Sequence, residues 1–125
     1  MMEPRWIGRA ACSAVLSLLL VALAIRAEAV DGFLSIVEDL PLMSGLTEDT
    51  ASGLAFDTAD GRIVDAYAHG KVSQEQVVNF YGETLPQLGW KAEGATQFAR
   101  SGERLRLEFT QGDSGLMVHY SLSPH

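Results

Sequence analysis

Cysteine occurs once in these 125 residues, histidine three times, and basic residues are outnumbered nine to sixteen by acidic ones. A lone thiol closes no intramolecular disulfide, so a core rather than cross-links must hold the fold. With no H-x-H or H-x-x-x-H spacing, the histidines offer little from which to build a metal site. The shortage of lysine and arginine leaves a formal net charge of −7. Such a chain is repelled by phosphate backbones and anionic headgroups, which excludes nucleic acid and disfavours a membrane surface as partners. Internal repeats and low-complexity tracts are absent too.

A long apolar run occurs only once. Arg5 and Arg9 precede "AACSAVLSLLLVALAI" (10–25), and "AEA" (27–29) places small residues where a signal peptidase reads them. These three parts make residues 1–29 a secretory signal peptide and the chain an exported, periplasmic one. The alternative is an uncleaved segment, with residues 10–25 as a membrane anchor and the chain's one link to a bilayer. Cys12 lies at the start of the run rather than its end, which argues against lipidation. Cleavage after Ala29 removes three arginines and two glutamates and leaves 96 residues of net charge −8. That length supports one core and no second domain.

Residues 30–52 read as an N-terminal arm that packs Leu40, Leu42, Met43 and Leu46 onto the single α+β domain of residues 53–123. "GLAFDTADGRIVDAYAHG" (53–70) holds two β-rich runs about Asp60-Gly61, a preferred pair for a type I′ hairpin. That turn sets Thr58 against Ile63 and Phe56 against Asp65. Leu54, Phe56, Ile63 and Tyr67 then share one face, and Val64, Ala66 and Ala68 the other. Ser73 with Gln76 fits a capping box, opening a helix whose inner stripe is Val77, Tyr81, Leu85 and Leu88. Gly82 at the stripe's edge suggests a close approach of helix to sheet. Pro86 should break the last turn, and Gly89 ends it. "WKAEGATQFAR" (90–100) reads as two short strands about Gly94. "ERLRLEFTQ" (103–111) and "GLMVHYSLS" (115–123) alternate polar and apolar residues, as strands with one wet face do. The order ββα followed by three or four strands predicts an antiparallel sheet of four to six strands with one helix packed on one face.

Four stretches invite a chemical reading. Gly112-Asp113-Ser114-Gly115 spells the motif around a trypsin-like nucleophile, yet the chain is too short for two barrels and Leu116 and Met117 break the pattern. Gly, Asp, Ser and Gly between two alternating strands make a hairpin loop instead. In "DAYAH" (65–69), Asp65, Tyr67 and His69 project from one face, and His119 could join them; Asp65, His69 and His119 are the candidate metal ligands. The competing reading puts Tyr67 in the core against Leu54 and Phe56. Glu103, Glu108 and Asp113 could be imagined as a general acid–base pair, but nothing sets two of them apart. Arg104 and Arg106 on the wet face, together with His119 and Tyr67, are candidate contacts for a ligand or partner, with Arg100 a possible neighbour. Finally, "FYGETLPQLGW" (80–90) is rich in aromatics but fits a buried helix stripe, with Trp90 folding back over the helix end.

"DLPLMSGL", "FDTADGRIVDAYAHG", "VVNFYGETLPQLGW" and "RLRLEF…GLMVHYSL" resemble a group of small exported bacterial proteins of uncharacterised function, with F-Y-x-x-x-L-P-x-L-G-W the most specific element. The resemblance covers residues 39–122. It implies the fold and the compartment, and it brings no catalytic residues and no cofactor. The reading is therefore an exported, periplasmic, non-catalytic interaction or accessory domain with an envelope protein as partner. The alternative is a binder of a small apolar ligand or metal ion in a helix–sheet cavity walled by Tyr67, Tyr81, Trp90 and Tyr120. An exposed edge strand would offer a route to a dimer.

Overall fold

A computed structural model describes residues 30–125, and the segment read as a signal peptide, 1–29, lies outside them. The strands are β1 (Val30–Phe33), β2 (Pro41–Met43), β3 (Thr47–Glu48), β4 (Leu54–Thr58) and β5 (Gly61–Gly70). Helix α1 (Gln74–Thr84) follows, continued by a 3₁₀ turn at Leu85–Leu88, and then β6 (Lys91–Ala92), β7 (Gln97–Arg100), β8 (Glu103–Gly112) and β9 (Gly115–Pro124). Among the described residues the architecture is α+β, an antiparallel sheet with one helix.

The sheet has seven strands rather than four to six, in the order β3-β5-β9-β8-β7-β6, with β4 also on β5. The extra strand comes from the presumed arm. Thr47 and Glu48 pair with His69 and Ala68, and β1 pairs with β2 in a separate ribbon. Leu40, Met43 and Leu46 are buried and Leu42 is partly buried against the core, and Leu34 and Val37 join them, so this segment packs on the domain.

Alternation decides which side is dry. Val64, Ala66 and Ala68 of β5, Leu105 and Leu107 of β8, and Leu116, Val118, Tyr120 and Leu122 of β9 are buried on one face. The helix lays Val77, Tyr81 and Leu85 against that face. The Ser73 capping box forms as the sequence predicts, the Ser73 side chain accepting from the Gln76 N–H while the Ser73 N–H donates to the Gln76 carboxamide. It satisfies two groups that a helix N-terminus leaves open. Pro86 turns the end of the helix into a 3₁₀ turn, and Gly89 closes it at φ 93°, a conformation glycine adopts without strain. The tightened turn rotates Leu88 out of the stripe, leaving it 40% exposed.

Two local expectations need correction. The hairpin pairs Thr58 with Gly61 and Phe56 with Ile63, so Ala59 and Asp60 form the turn rather than Asp60 and Gly61. The shift is two residues, which preserves the faces, since only an odd slip exchanges them. Gly82 has nothing within 4 Å of where a Cβ would stand, so helix–sheet packing does not require it. Close approach occurs elsewhere: a Cβ on Gly70 would overlap the Gly45 carbonyl, and one on Gly115 the Gly70 carbonyl.

Candidate functional site

The face away from the helix is where the chemistry-bearing side chains gather. Sheet register places Glu108, His119 and Tyr67 in one row across β8, β9 and β5. Asp65 lies one step along β5 from that row. His119 Nε2 stands 2.7 Å from an Asp65 carboxylate oxygen, and Nδ1 stands 3.2 Å from a Glu108 carboxylate oxygen. The Tyr67 ring lies flat on His119, centroids 4.5 Å apart and planes 6° from parallel. Tyr67 is thus on the wet face, not in the core, because it alternates with the buried Ala66 and Ala68.

Arg106 extends this row only loosely, its guanidinium 3.9 Å from Glu108, with both side chains more than half exposed. Arg104 is more engaged. It reaches Glu93 at 3.3 Å and the His125 ring at 3.0 Å. A burial penalty raises the Glu93 carboxyl, but hydrogen bonds from Arg104, Gln97 and His125 outweigh it and hold the group below its ordinary range. Arg100 is not their neighbour. It sits over the Trp90 ring, 4.3 Å from its centroid, and bonds the Leu88 carbonyl and Asp39. On the helix side of the sheet edge, Glu103 binds Arg62 at 2.7 and 3.2 Å, and that hydrogen bond, against some burial, raises the guanidinium's affinity for its proton.

The metal candidates do not converge. His69 pairs with Met117 two register steps from Ser121, the partner of Asp65, while Asp65 and Glu108 occupy opposite edges of the His119 ring. Among the described residues, no group of three or more His, Cys, Asp or Glu is arranged to hold a metal ion. Ser114 lies in the two-residue turn between Gly112 and Gly115, the hairpin loop predicted from composition. His119 already has a carboxylate at each nitrogen and is not poised against that serine.

Nor do the four aromatic walls enclose one space. Tyr67 is on the opposite face from the others. Tyr81, Trp90 and Tyr120 are buried to within 3% exposure and fill the interior themselves. The Tyr81 hydroxyl donates to the Pro41 carbonyl at 2.7 Å and lies 2.8 Å from the Tyr120 hydroxyl. Since Tyr81 has one proton and uses it on Pro41, Tyr120 is the donor between them. Two open clefts lie elsewhere, one beside Lys71, Ser73, Gln111 and Asp113, the other beside Met43, Ser44, Asn79 and Phe80.

The surface feature that sequence reasoning missed is β4. All five of its residues are exposed, with Leu54 at 55% and Phe56 at 48%. The helix does not reach it, and it hydrogen-bonds only to β5. Beside Ile63 these side chains make an apolar margin to the Asp65–His119–Glu108 patch. A signal was present. Leu54 and Phe56 share their face with Asp65 and Tyr67, and the opposite face already holds the small residues a packed helix favours.

Comparison with protein-family models, with curated proteins and with solved structures finds no match to this chain. Among the described residues, no helix is long and apolar enough to cross a membrane.

Proposed function

We propose that this chain is an exported, non-catalytic interaction or accessory domain of the bacterial cell envelope, and that its contact surface is the outer sheet face along β4. The leader-like segment 1–29 and the resemblance to small exported bacterial proteins support the compartment. The observation that carries the interaction reading is the exposure of Leu54 and Phe56 on a strand that no other layer covers. Isolated exposed apolar residues are ordinary, but neighbouring ones on an open strand are the usual mark of a contact surface. Tyr67 stacked on His119 extends that surface with a flat, half-polar platform of the kind interfaces favour.

Co-purification of the tagged chain from its own envelope, run beside a Leu54→Ser/Phe56→Ser variant, tests this reading. The expected result is a reproducible protein partner with the native chain and its loss with the variant, which should remain folded because neither side chain belongs to the buried core, as its circular dichroism would check. A native chain that captures nothing, or a variant that captures as well, overturns it.

A further inference from the structure

The open edge of β4 carries a more specific inference, which rests on the interaction reading above. Thr58 and Gly61 close the β4–β5 hairpin around only two residues, so that pair exchanges both backbone hydrogen bonds. Alternation then makes Phe56–Ile63 and Leu54–Asp65 the next bonded pairs. The N–H and C=O groups of Ala55 and Asp57 therefore point away from β5, and among the described residues nothing else bonds them. This is an edge prepared for another strand. Lysine, proline and bulges, which blunt many such edges, are absent from Leu54–Thr58, whose one charge is Asp57.

Charge selects the occupant. Residues 47–61 contain four carboxylates, Glu48, Asp49, Asp57 and Asp60, and no cation. The nearest guanidinium, Arg62, is the cross-strand partner of Asp57 but spends its hydrogen bonds on Glu103 and meets Asp57 only through longer-range attraction. A second copy would bring the same acidic edge against this one. We infer that β4 accepts an extended, cationic segment of another protein by strand addition. Apolar residues of that segment would face Leu54 and Phe56, and lysine or arginine would alternate with them to meet Asp57. Main-chain bonds to Ala55 and Asp57 would supply affinity and this alternation the specificity.

The test uses a peptide of about six residues alternating valine and lysine, with a valine–glutamate peptide as control, followed by amide hydrogen exchange and titration. The valine–lysine peptide should slow exchange at Ala55 and Asp57 while the control does not. Ala55→Pro removes one outward N–H that the fold does not use, and edge strands tolerate proline; it should abolish binding at a native melting temperature. Asp57→Lys leaves the backbone intact and should weaken binding about fivefold, near the upper end for a cross-strand charge pair, and admit the control. Equal binding by native chain and both variants overturns strand addition, as does protection of the same two amides by self-association of the peptide-free chain. An envelope partner retained by Ala55→Pro but lost by Leu54→Ser/Phe56→Ser overturns strand addition alone and leaves the interaction reading intact. A native chain that captures nothing overturns the interaction reading itself.

Discussion

Removing one hydroxyl from the core should do more damage than removing two. Tyr81 and Tyr120 are the two largest fully buried side chains, and they share a single chain of hydrogen bonds, Tyr120 to Tyr81 to the Pro41 carbonyl. Tyr120→Phe deletes the first donor and leaves the Tyr81 bond to Pro41 intact, at a cost of about 1 kcal/mol, the net worth of one hydrogen bond. Tyr81→Phe removes the middle of the chain. The Pro41 carbonyl and the Tyr120 hydroxyl are then both buried without partners, at about 1–3 kcal/mol each, or roughly 2–6 kcal/mol together. The double variant orphans only the carbonyl, because the stranded Tyr120 hydroxyl has gone as well. It should therefore be more stable than Tyr81→Phe, by about 1–2 kcal/mol. Equilibrium urea unfolding followed by fluorescence of the buried Trp90 reads all four proteins on one scale. If the two costs simply add, the double variant becomes the least stable of the set. That ordering would refute both the donor directions and the dryness of the site.

The same pair predicts a pH dependence. Burial pushes the Tyr81 phenol up to about 12, against an opposing bond from Tyr120, and burial together with its position as donor to Tyr81 pushes Tyr120 up as well. Unfolded tyrosines lose their protons near pH 10 while these keep theirs, so stability is complete below about pH 10. Above it, each tyrosine takes away ~1.4 kcal/mol per pH unit. Urea midpoints between pH 9.5 and 11 should fall steeply, and Tyr120→Phe should halve the slope; a flat profile contradicts the shifts. Gly82→Ala should stabilise by about 0.5–1 kcal/mol in thermal unfolding, since the helix gains propensity and the new methyl meets nothing. Gly115→Ala should destabilise, because φ is +112° and the methyl would overlap the Gly70 carbonyl; a neutral result would mean that the Gly45–Gly70–Gly115 contact is looser than described. Ser73→Ala should cost about 1 kcal/mol by loss of the cap, measured from the melting temperature followed by far-UV circular dichroism.

Much of the fold was legible in the one-dimensional pattern, and for local reasons. A capping box needs only Ser73 and Gln76 three residues on. A left-handed stop needs only Gly89, and alternation along 103–111 and 115–123 assigns each side chain to a face without knowledge of the partner strand. The Gly112–Gly115 hairpin was likewise readable, because turn chemistry there outweighs a chance match to a protease motif. What failed depended on more than neighbours. Asp60-Gly61 favours one turn by propensity, yet the hairpin forms one position earlier. Gly61 opens β5 at φ +142°, and the Thr58 hydroxyl both accepts from the Asp60 N–H and donates to the Gly61 carbonyl.

For the candidate site the division is sharper. The sequence by itself determined that Asp65, Tyr67 and His69 share a face, that Arg104, Arg106 and Glu108 point away from Leu105 and Leu107, and that the domain is acidic. It could not say which face of β5 is wet, because Leu54 and Phe56 look like core to any rule based on hydrophobicity. That choice belongs to the helix, whose Val77, Tyr81 and Leu85 stripe can cover only one side of the sheet and covers the side with Val64, Ala66 and Ala68. Once it does, Tyr67 must lie outside. The β5–β9–β8 register then brings His119 between Asp65 and Glu108, and β4 is left beyond the helix's reach with one backbone edge unpaired. Strand order and the placement of helix α1 are global properties of packing, and they turned apparent core residues into the most exposed apolar surface of the sheet.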